Sequence, residues 1–312
     1  MPRRARLNLA GVPWHIIQRG NNRSACFFAE QDYRLYLQCL QELARRFNCA
    51  VHAYVLMTNH VHLLLTPASK NSAALLMKHL GQRYVQYVNR THGRSGTLWE
   101  GRFRSCLTQS ENYVLACYRY IELNPVRAGM VGRPDAYRWT SYSANALGRA
   151  DALITPHDEY MRLGQHEEAR REAYRGLFKD HLNAETVDTI RQATNGNLAL
   201  GESKFQKEVE SALDRRAQRG RPGRPKAGEL GTDHGFEIEE NVVCPLYISR
   251  CIFATLGPSS ARFHLIARKC FGSLRILSGQ TGGRVKSTMP RHENSCPRIR
   301  AAWPRPLSMK GA

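Results

Sequence analysis

The sequence predicts an α+β fold: an antiparallel sheet of ferredoxin-like kind with helices on one face, occupying residues 1–148. Three observations carry this expectation. Short β-branched runs alternate with longer stretches of helical apolar spacing. Their order is β-α-β-β-α-β-α, which lays two helices over one sheet. The composition, 42% hydrophobic and 9% aromatic, suits a chain that buries a core.

The elements follow in order. Trp14–Gln18 (WHIIQ) is short, apolar and β-branched, a first strand. Gln31–Phe47 brings Tyr33, Tyr36, Leu37, Leu40, Leu43 and Ala44 onto one helical stripe. VHAYVLM (51–57) and VHLLLT (61–66) read as two strands parted by Thr58-Asn59-His60. Residues 72–90 return to helical spacing through Leu75, Met77, Leu80, Tyr84 and Val88. Gly96–Leu107 mixes glycines, aromatics and arginines, and reads as a hairpin or as a strand with a loop. Ser110–Leu123 is a third helix, with Ser110 or Asn112 as its N-cap and Pro125 forcing its stop. WTSYSANAL closes the domain near residue 147.

Residues 149–218 are rich in Glu, Arg, Ala and Leu and predict a helical extension, a candidate DNA-binding segment. Within it a turn at Asn195-Gly196-Asn197 separates two helical stretches, consistent with a helix-turn-helix or with an ordinary helical hairpin. Residues 219–312 read as a basic linker followed by a poorly ordered tail, to which no function is assigned. RGRPGRPK (219–226) resembles the Arg-Gly-Arg-Pro core of minor-groove binders and equally a plain basic linker. In the tail only CPLYISRCIFATL (244–256) has the makings of a packed element.

Charge narrows the function classes. The net charge is +20, an excess that points to a polyanionic partner, nucleic acid first. Residues 1–150 hold 20 Lys+Arg against 7 Asp+Glu, residues 151–240 hold 14 against 18, and residues 241–312 hold 12 against 1. The predicted sheet domain is therefore cationic in its own right. The 9 cysteines form no C-x-x-C pair, so zinc-finger and disulfide frameworks are poorly supported and reduced thiols in a cytoplasm are expected. No run of about 18 apolar residues occurs, and the basic N-terminus lacks an apolar signal region, so a soluble, unexported chain is expected.

Two features carry chemistry. In His60-Val61-His62 the histidines sit two apart on a strand, so both point to one face, roughly 6.5–7 Å apart. Two imidazoles so placed can converge on one divalent ion; taken alone, such a pair is more often incidental. Tyr120 and Asn124 lie four apart on a helix and share a face. A phenol there can attack phosphorus, and the Asn124 amide oxygen can join the two histidines on the metal. The alternative is that Tyr120 is a core aromatic. Phosphoryl transfer to a phenol, whose unperturbed pKa is about 10, requires the phosphate charge to be neutralised by metal or arginine. A covalent phosphotyrosine would conserve the broken bond for rejoining. Arg19 and Arg23 in QRGNNR, and Arg102 and Arg104 in WEGRFR, interleave with Trp99 and Phe103, a mixture suited to single strands. Arg127 follows the tyrosine helix and is placed to contact the scissile region.

The stretches PWHIIQRGNNRSACFF, AYVLMTNHVHLLLTP, GTLWEGRFRS and YIELNPVRAGMV, in this order and spacing, resemble the IS200-type Y1 transposase family, and within it the REP-associated tyrosine transposase branch. The resemblance covers about residues 8–147. It implies the HUH endonuclease fold, with His60 and His62 as the metal-binding pair and Tyr120 as the nucleophile. Asn124 stands where insertion-sequence members carry a glutamine ligand, one methylene longer. The implied activity is cleavage and strand transfer of single-stranded hairpin DNA, of REP-like or insertion-sequence-end type, with Mg²⁺ or Mn²⁺. It leaves a 5′-phosphotyrosine and a free 3′-hydroxyl. The resemblance further implies a cytoplasmic, nucleoid-associated bacterial protein, monomeric or homodimeric. A non-catalytic hairpin-binding protein that keeps the fold is the alternative. A nuclease using water, with Tyr120 structural, is a third reading.

Overall fold

A computed structural model describes residues 4–180 and 182–220. The expectations for the basic run from Arg221 onward and for 244–256 lie outside the described residues. In chain order the elements are β1 (Trp14–Arg19), α1 (Glu30–Arg46), β2 (Cys49–Met57), β3 (His60–Pro67), α2 (Ser72–Thr91), β4 (Arg104–Thr108) and α3 (Ser110–Glu122). Beyond them come α4 (Asn124–Arg127), α5 (Tyr142–Leu147), α6 (Asp158–Met161), α7 (Glu167–Gly176), α8 (Ala184–Gly196), β5 (Ala199–Leu200) and α9 (Ser203–Leu213).

The first seven elements keep the predicted β-α-β-β-α-β-α order, and β2, β3, β1 and β4 pair antiparallel in that spatial sequence. Alternation along the strands decides which residues face which layer. Trp14 and Ile16 of β1, with Val61, Leu63 and Leu65 of β3, enter the core beneath α1 and α2. His15 and Ile17, and His60, His62 and Leu64, therefore face the opposite side. In β2 the register shifts between Val51 and Ala53, and this bulge moves the two residues into different cores.

The opposite face is also covered, which corrects the expectation of helices on one face only. Val114, Cys117 and Tyr118 of α3, Tyr174 of α7, and Val187 and Ile190 of α8 pack with Leu64 and Cys106 from the sheet. Each fully buried side chain of the size of Ile190 stabilises by about 1.5–3 kcal/mol relative to exposure. The boundary expected at 148 thus runs through packed structure, because the extension completes the cover of a sheet face that α3 covers only in part. The sheet is mixed as well: β5 adds to β4 in parallel as a fifth strand.

Local departures have local reasons. Only Arg104–Thr108 of the glycine-rich segment is strand; upstream, a bridge from Trp99 to Gly20 ties the loop to β1. Helix α3 starts at Ser110 with Gln109, not Ser110 or Asn112, as its cap residue. Gln109 gives its backbone N–H to Leu200 (2.8 Å) and accepts from the Glu202 N–H (2.8 Å), so it serves β5 and the start of α9 instead of capping α3. The Asn195-Gly196-Asn197 turn is present, with Asn197 in left-handed conformation at φ 52°. Strand β5 stands between that turn and α9, so the segment is neither a helix-turn-helix nor a plain helical hairpin.

Candidate active site

The site begins where β3 starts. Gly20 donates its N–H to the Asn59 carbonyl at 2.8 Å, and a Cβ at Gly20 would meet the Ser24 carbonyl oxygen at 2.2 Å. Only glycine allows that approach. The Asn59 side chain then acts in two directions: its Nδ2 donates to the Arg23 carbonyl at 3.1 Å, and its Oδ1 lies 2.7 Å from His60 Nδ1. An amide oxygen only accepts, so His60 carries its proton on Nδ1 and leaves the Nε2 lone pair free. Asn59 is a positioning residue that the sequence reading missed, although it sits inside the TNHVH run.

His60 and His62 rings lie 5.1 Å apart at 84°, and the Tyr120 ring is 5.6 Å from His62. Burial first, then the positive charge of Arg19, pulls the His60 pKa down to about 4. Burial also holds His62 well below the ordinary histidine range, with His15 and His60 adding to the effect. Both rings are neutral at pH 7, as ligation demands. Behind them stands a residue outside the sequence expectations, His15 of β1, whose Nε2 lies 2.8 Å from His62 Nδ1. The strand pattern of WHIIQ held the signal, since His15 alternates with Trp14 and Ile16 and so faces the histidine side.

Tyr120 ends up beside them because α3 lays its last turn against the sheet. Helix α3 ends at Glu122 and α4 begins at Asn124, with Leu123 in helical conformation between them and Pro125 in the first turn of α4. Asn124 lines the same cleft as Tyr120 and His60. Arg127 folds back, donating from Nη2 to the Tyr120 carbonyl at 2.6 Å with its guanidinium 4.3 Å from the ring centre. Together His60, His62, Tyr120, Asn124 and Arg127 line an open cleft of about 290 Å³.

The donor set can be tested for a metal. Among the described residues no group of three His, Cys, Asp or Glu side chains is placed to hold a metal ion. Two neutral imidazole nitrogens and one amide oxygen are too few protein donors for a closed structural zinc site, and suit an open divalent site completed by water or substrate.

Arginines continue from this cleft. Arg19 and Asn195 are shared with a neighbouring cleft of similar size that adds Arg23, Arg102 and Arg104. A third cleft extends the track through Arg4 and Arg6, which the sequence reading passed over. Arg104 donates to Asn195 Oδ1 at 3.0 Å, so it is partly engaged, whereas Arg23 and Arg102 are exposed. Trp99 and Phe103 are not available for base stacking. They are 6% and 7% exposed in the core under α1 and α2, and Arg6 covers Phe103 at 3.9 Å.

Residues 9–124 match the family model described as IS200-like transposase. No curated protein matches the chain. Among solved structures, a REP-associated tyrosine transposase bound to a REP hairpin is similar at 16% identity and TM-score 0.41, over 50% of this chain and 93% of that one. A transposase candidate from Deinococcus radiodurans is similar at 21% identity and TM-score 0.28, over 39% and 96%. Neither likeness assigns a role to any residue here.

Proposed function

We propose that the chain, whose residues 9–124 match the IS200-like transposase model, is a tyrosine-dependent, single-strand DNA endonuclease and strand transferase acting on hairpin DNA. The observation that carries this reading is the meeting of His60, His62, Asn124 and Tyr120 in one arginine-edged cleft.

In this reading His60 Nε2, His62 Nε2 and the Asn124 amide oxygen would hold one Mg²⁺ or Mn²⁺. When bound, that ion neutralises charge on the scissile phosphate. The Tyr120 oxygen attacks phosphorus, and the bond to the 3′-oxygen breaks. The phenolic proton leaves through solvent, and the departing 3′-oxygen ends as a hydroxyl. A 5′-phosphotyrosine remains, which a second 3′-hydroxyl can attack to rejoin the strand. Arg127, over the Tyr120 ring, and Arg19, at the cleft edge, supply positive charge where the phosphate sits. Arg23, Arg102 and Arg104 guide the strand along the adjoining cleft by phosphate contacts. The proposal includes a cytoplasmic site of action; no helix among the described residues is long and apolar enough to cross a membrane.

The test is incubation with a panel of single-stranded hairpins, including REP-like ones, and Mn²⁺. The expected result is a covalent protein–DNA band that Tyr120→Phe abolishes while hairpin binding persists. Binding without any adduct favours the non-catalytic reading. Cleavage with free 5′-phosphates and no trapped protein favours a water-using nuclease.

A further inference from the structure

A buried hydrogen-bonded chain runs from α8 to His62. Thr194 Oγ1 lies 2.8 Å from the Ile190 carbonyl and 3.0 Å from His15 Nδ1, and His15 Nε2 lies 2.8 Å from His62 Nδ1. Thr194, His15 and His62 are 3%, 1% and 2% exposed, so water does not compete for these bonds. The two imidazoles stack at 5.0 Å and 20°.

The proton count gives the chain a direction. A neutral imidazole has one N–H and a threonine hydroxyl one proton. If Thr194 donates to the Ile190 carbonyl, His15 donates from Nδ1 to Thr194, and His62 donates from Nδ1 to His15. All three bonds then form. In the opposite sense the only Thr194 proton goes to His15, and the bond to Ile190 is lost. Cys106 Sγ, 3.3 Å from Thr194 Oγ1, can donate in either sense and does not reverse the preference. The favoured sense leaves the His62 Nε2 lone pair facing the cleft, while the opposite sense puts a proton there and blocks coordination.

We propose that His15 and Thr194 are positioning residues that hold His62 as its Nδ1–H tautomer, with Nε2 free for a divalent ion. The proposal rests on the reading of His62 as a metal ligand. It also makes α8 part of the site, although α8 lies outside the matched segment 9–124. Other contacts hold that helix in place: Asn197 Oδ1 accepts from the Ser105 N–H at 3.1 Å, beside the Arg104–Asn195 bond.

The experiment titrates the full metal-free chain with Mn²⁺ by electron paramagnetic resonance of the free ion. Thr194→Val, Thr194→Ser, His15→Phe and His60→Ala are compared with wild type, and imidazole ¹⁵N spectra of the wild type are recorded. Loss of an outer partner of a ligating histidine typically weakens metal binding about 10–100-fold. We expect about tenfold weaker Mn²⁺ binding for Thr194→Val and about 10–100-fold for His15→Phe. Thr194→Ser should stay within about threefold of wild type, because the hydroxyl returns. Metal-free hairpin binding should be unchanged in Thr194→Val, Thr194→Ser and His15→Phe, and His62 should be protonated on Nδ1. Wild-type Mn²⁺ affinity in Thr194→Val, or a wild-type His62 protonated on Nε2, overturns the proposal. If His60→Ala binds Mn²⁺ as wild type does, the metal centre itself falls and this inference with it. A failure confined to Thr194→Val and His15→Phe leaves that centre standing.

Discussion

At the scale of single residues, the site depends on groups that do no chemistry. Gly20 is the sharpest case, because the atoms a Cβ would strike belong to the backbone of Ser24 and Asn59 and not to a flexible side chain. Gly20→Ala should cost about 1–3 kcal/mol through overpacking. It should also weaken Mn²⁺ binding several-fold, since Asn59 orients His60. Thermal denaturation and metal titration read both effects, and a variant unchanged in both would refute the coupling. The arginines allow a different measurement. Each phosphate contact on a single strand contributes about 0.7 to the slope of log affinity against log salt. Arg19→Ala and Arg102→Ala should each lower that slope by about this amount, whereas Arg6→Ala, whose guanidinium lies on Phe103, should lower it less. Equal slopes for all three variants would contradict the assignment of the track.

At the scale of elements, the helix that carries Tyr120 is anchored two residues later by Glu122. That carboxylate is fully buried and accepts from Ser141 Oγ (2.6 Å), Asn145 Nδ2 (2.8 Å) and Tyr174 Oη (2.6 Å), joining α3 to α5 and α7. Glu122→Leu leaves the Tyr174 hydroxyl and one Asn145 N–H unpaired at about 1–3 kcal/mol each. Ser141 Oγ and the other Asn145 N–H keep the Tyr54 and His52 carbonyls, each at 3.3 Å. Against a total stability of about 5–15 kcal/mol, urea denaturation should show a severe loss. A loss under about 1 kcal/mol would show that the network contributes little. A chain ending at 148 should likewise be less stable than one ending at 220, because Cys117, Tyr118 and Cys106 would lose their cover from α7 and α8. These elements also show what the sequence made legible. The strands around His60 and His62 and the helix through Tyr120 announce themselves by alternation and period, and so does their order. The covered second face does not. Its partners, Tyr174, Val187 and Ile190, come from short helices whose polar surroundings hide one apolar stripe. Strand β5 is two residues long, below any periodic signal. Thr194 and His15 are joined across 179 positions, and no local pattern reports such a pairing.

At the scale of the whole molecule, two buried titrating groups bend stability against pH in opposite senses. Burial lowers the His52 pKa from 6.5 to about 4, partly offset by its bond to the Thr155 carbonyl at 2.7 Å. Between those values the unfolded chain holds the extra proton, so stability present above pH 6.5 is lost as pH falls towards 4. Burial raises the Glu122 pKa from 4.5 to about 7, and its three donors only partly oppose this. There the folded chain holds the extra proton, so stability present below pH 4.5 is lost as pH rises through 7. Each term amounts to about 3 kcal/mol at full extent. Urea denaturation across pH 4–7.5 should show His52→Gln reducing the acid-side fall, to which the buried His15, His60 and His62 also contribute, and Glu122→Gln removing the neutral-side fall. Profiles parallel to wild type in both variants would contradict this. Over longer range, the positive charge of residues 1–150 and the arginine-lined clefts act together, drawing a polyanion towards the histidine–tyrosine centre. The most direct test of that centre is to incubate the chain with a 5′- and 3′-labelled single-stranded hairpin and Mn²⁺, digest the product and map it by mass spectrometry. The account predicts a nucleotide joined through its 5′-phosphate to the peptide containing Tyr120, with a free 3′-hydroxyl on the released strand. A linkage on any other residue, or cleavage with no linked peptide, would contradict it.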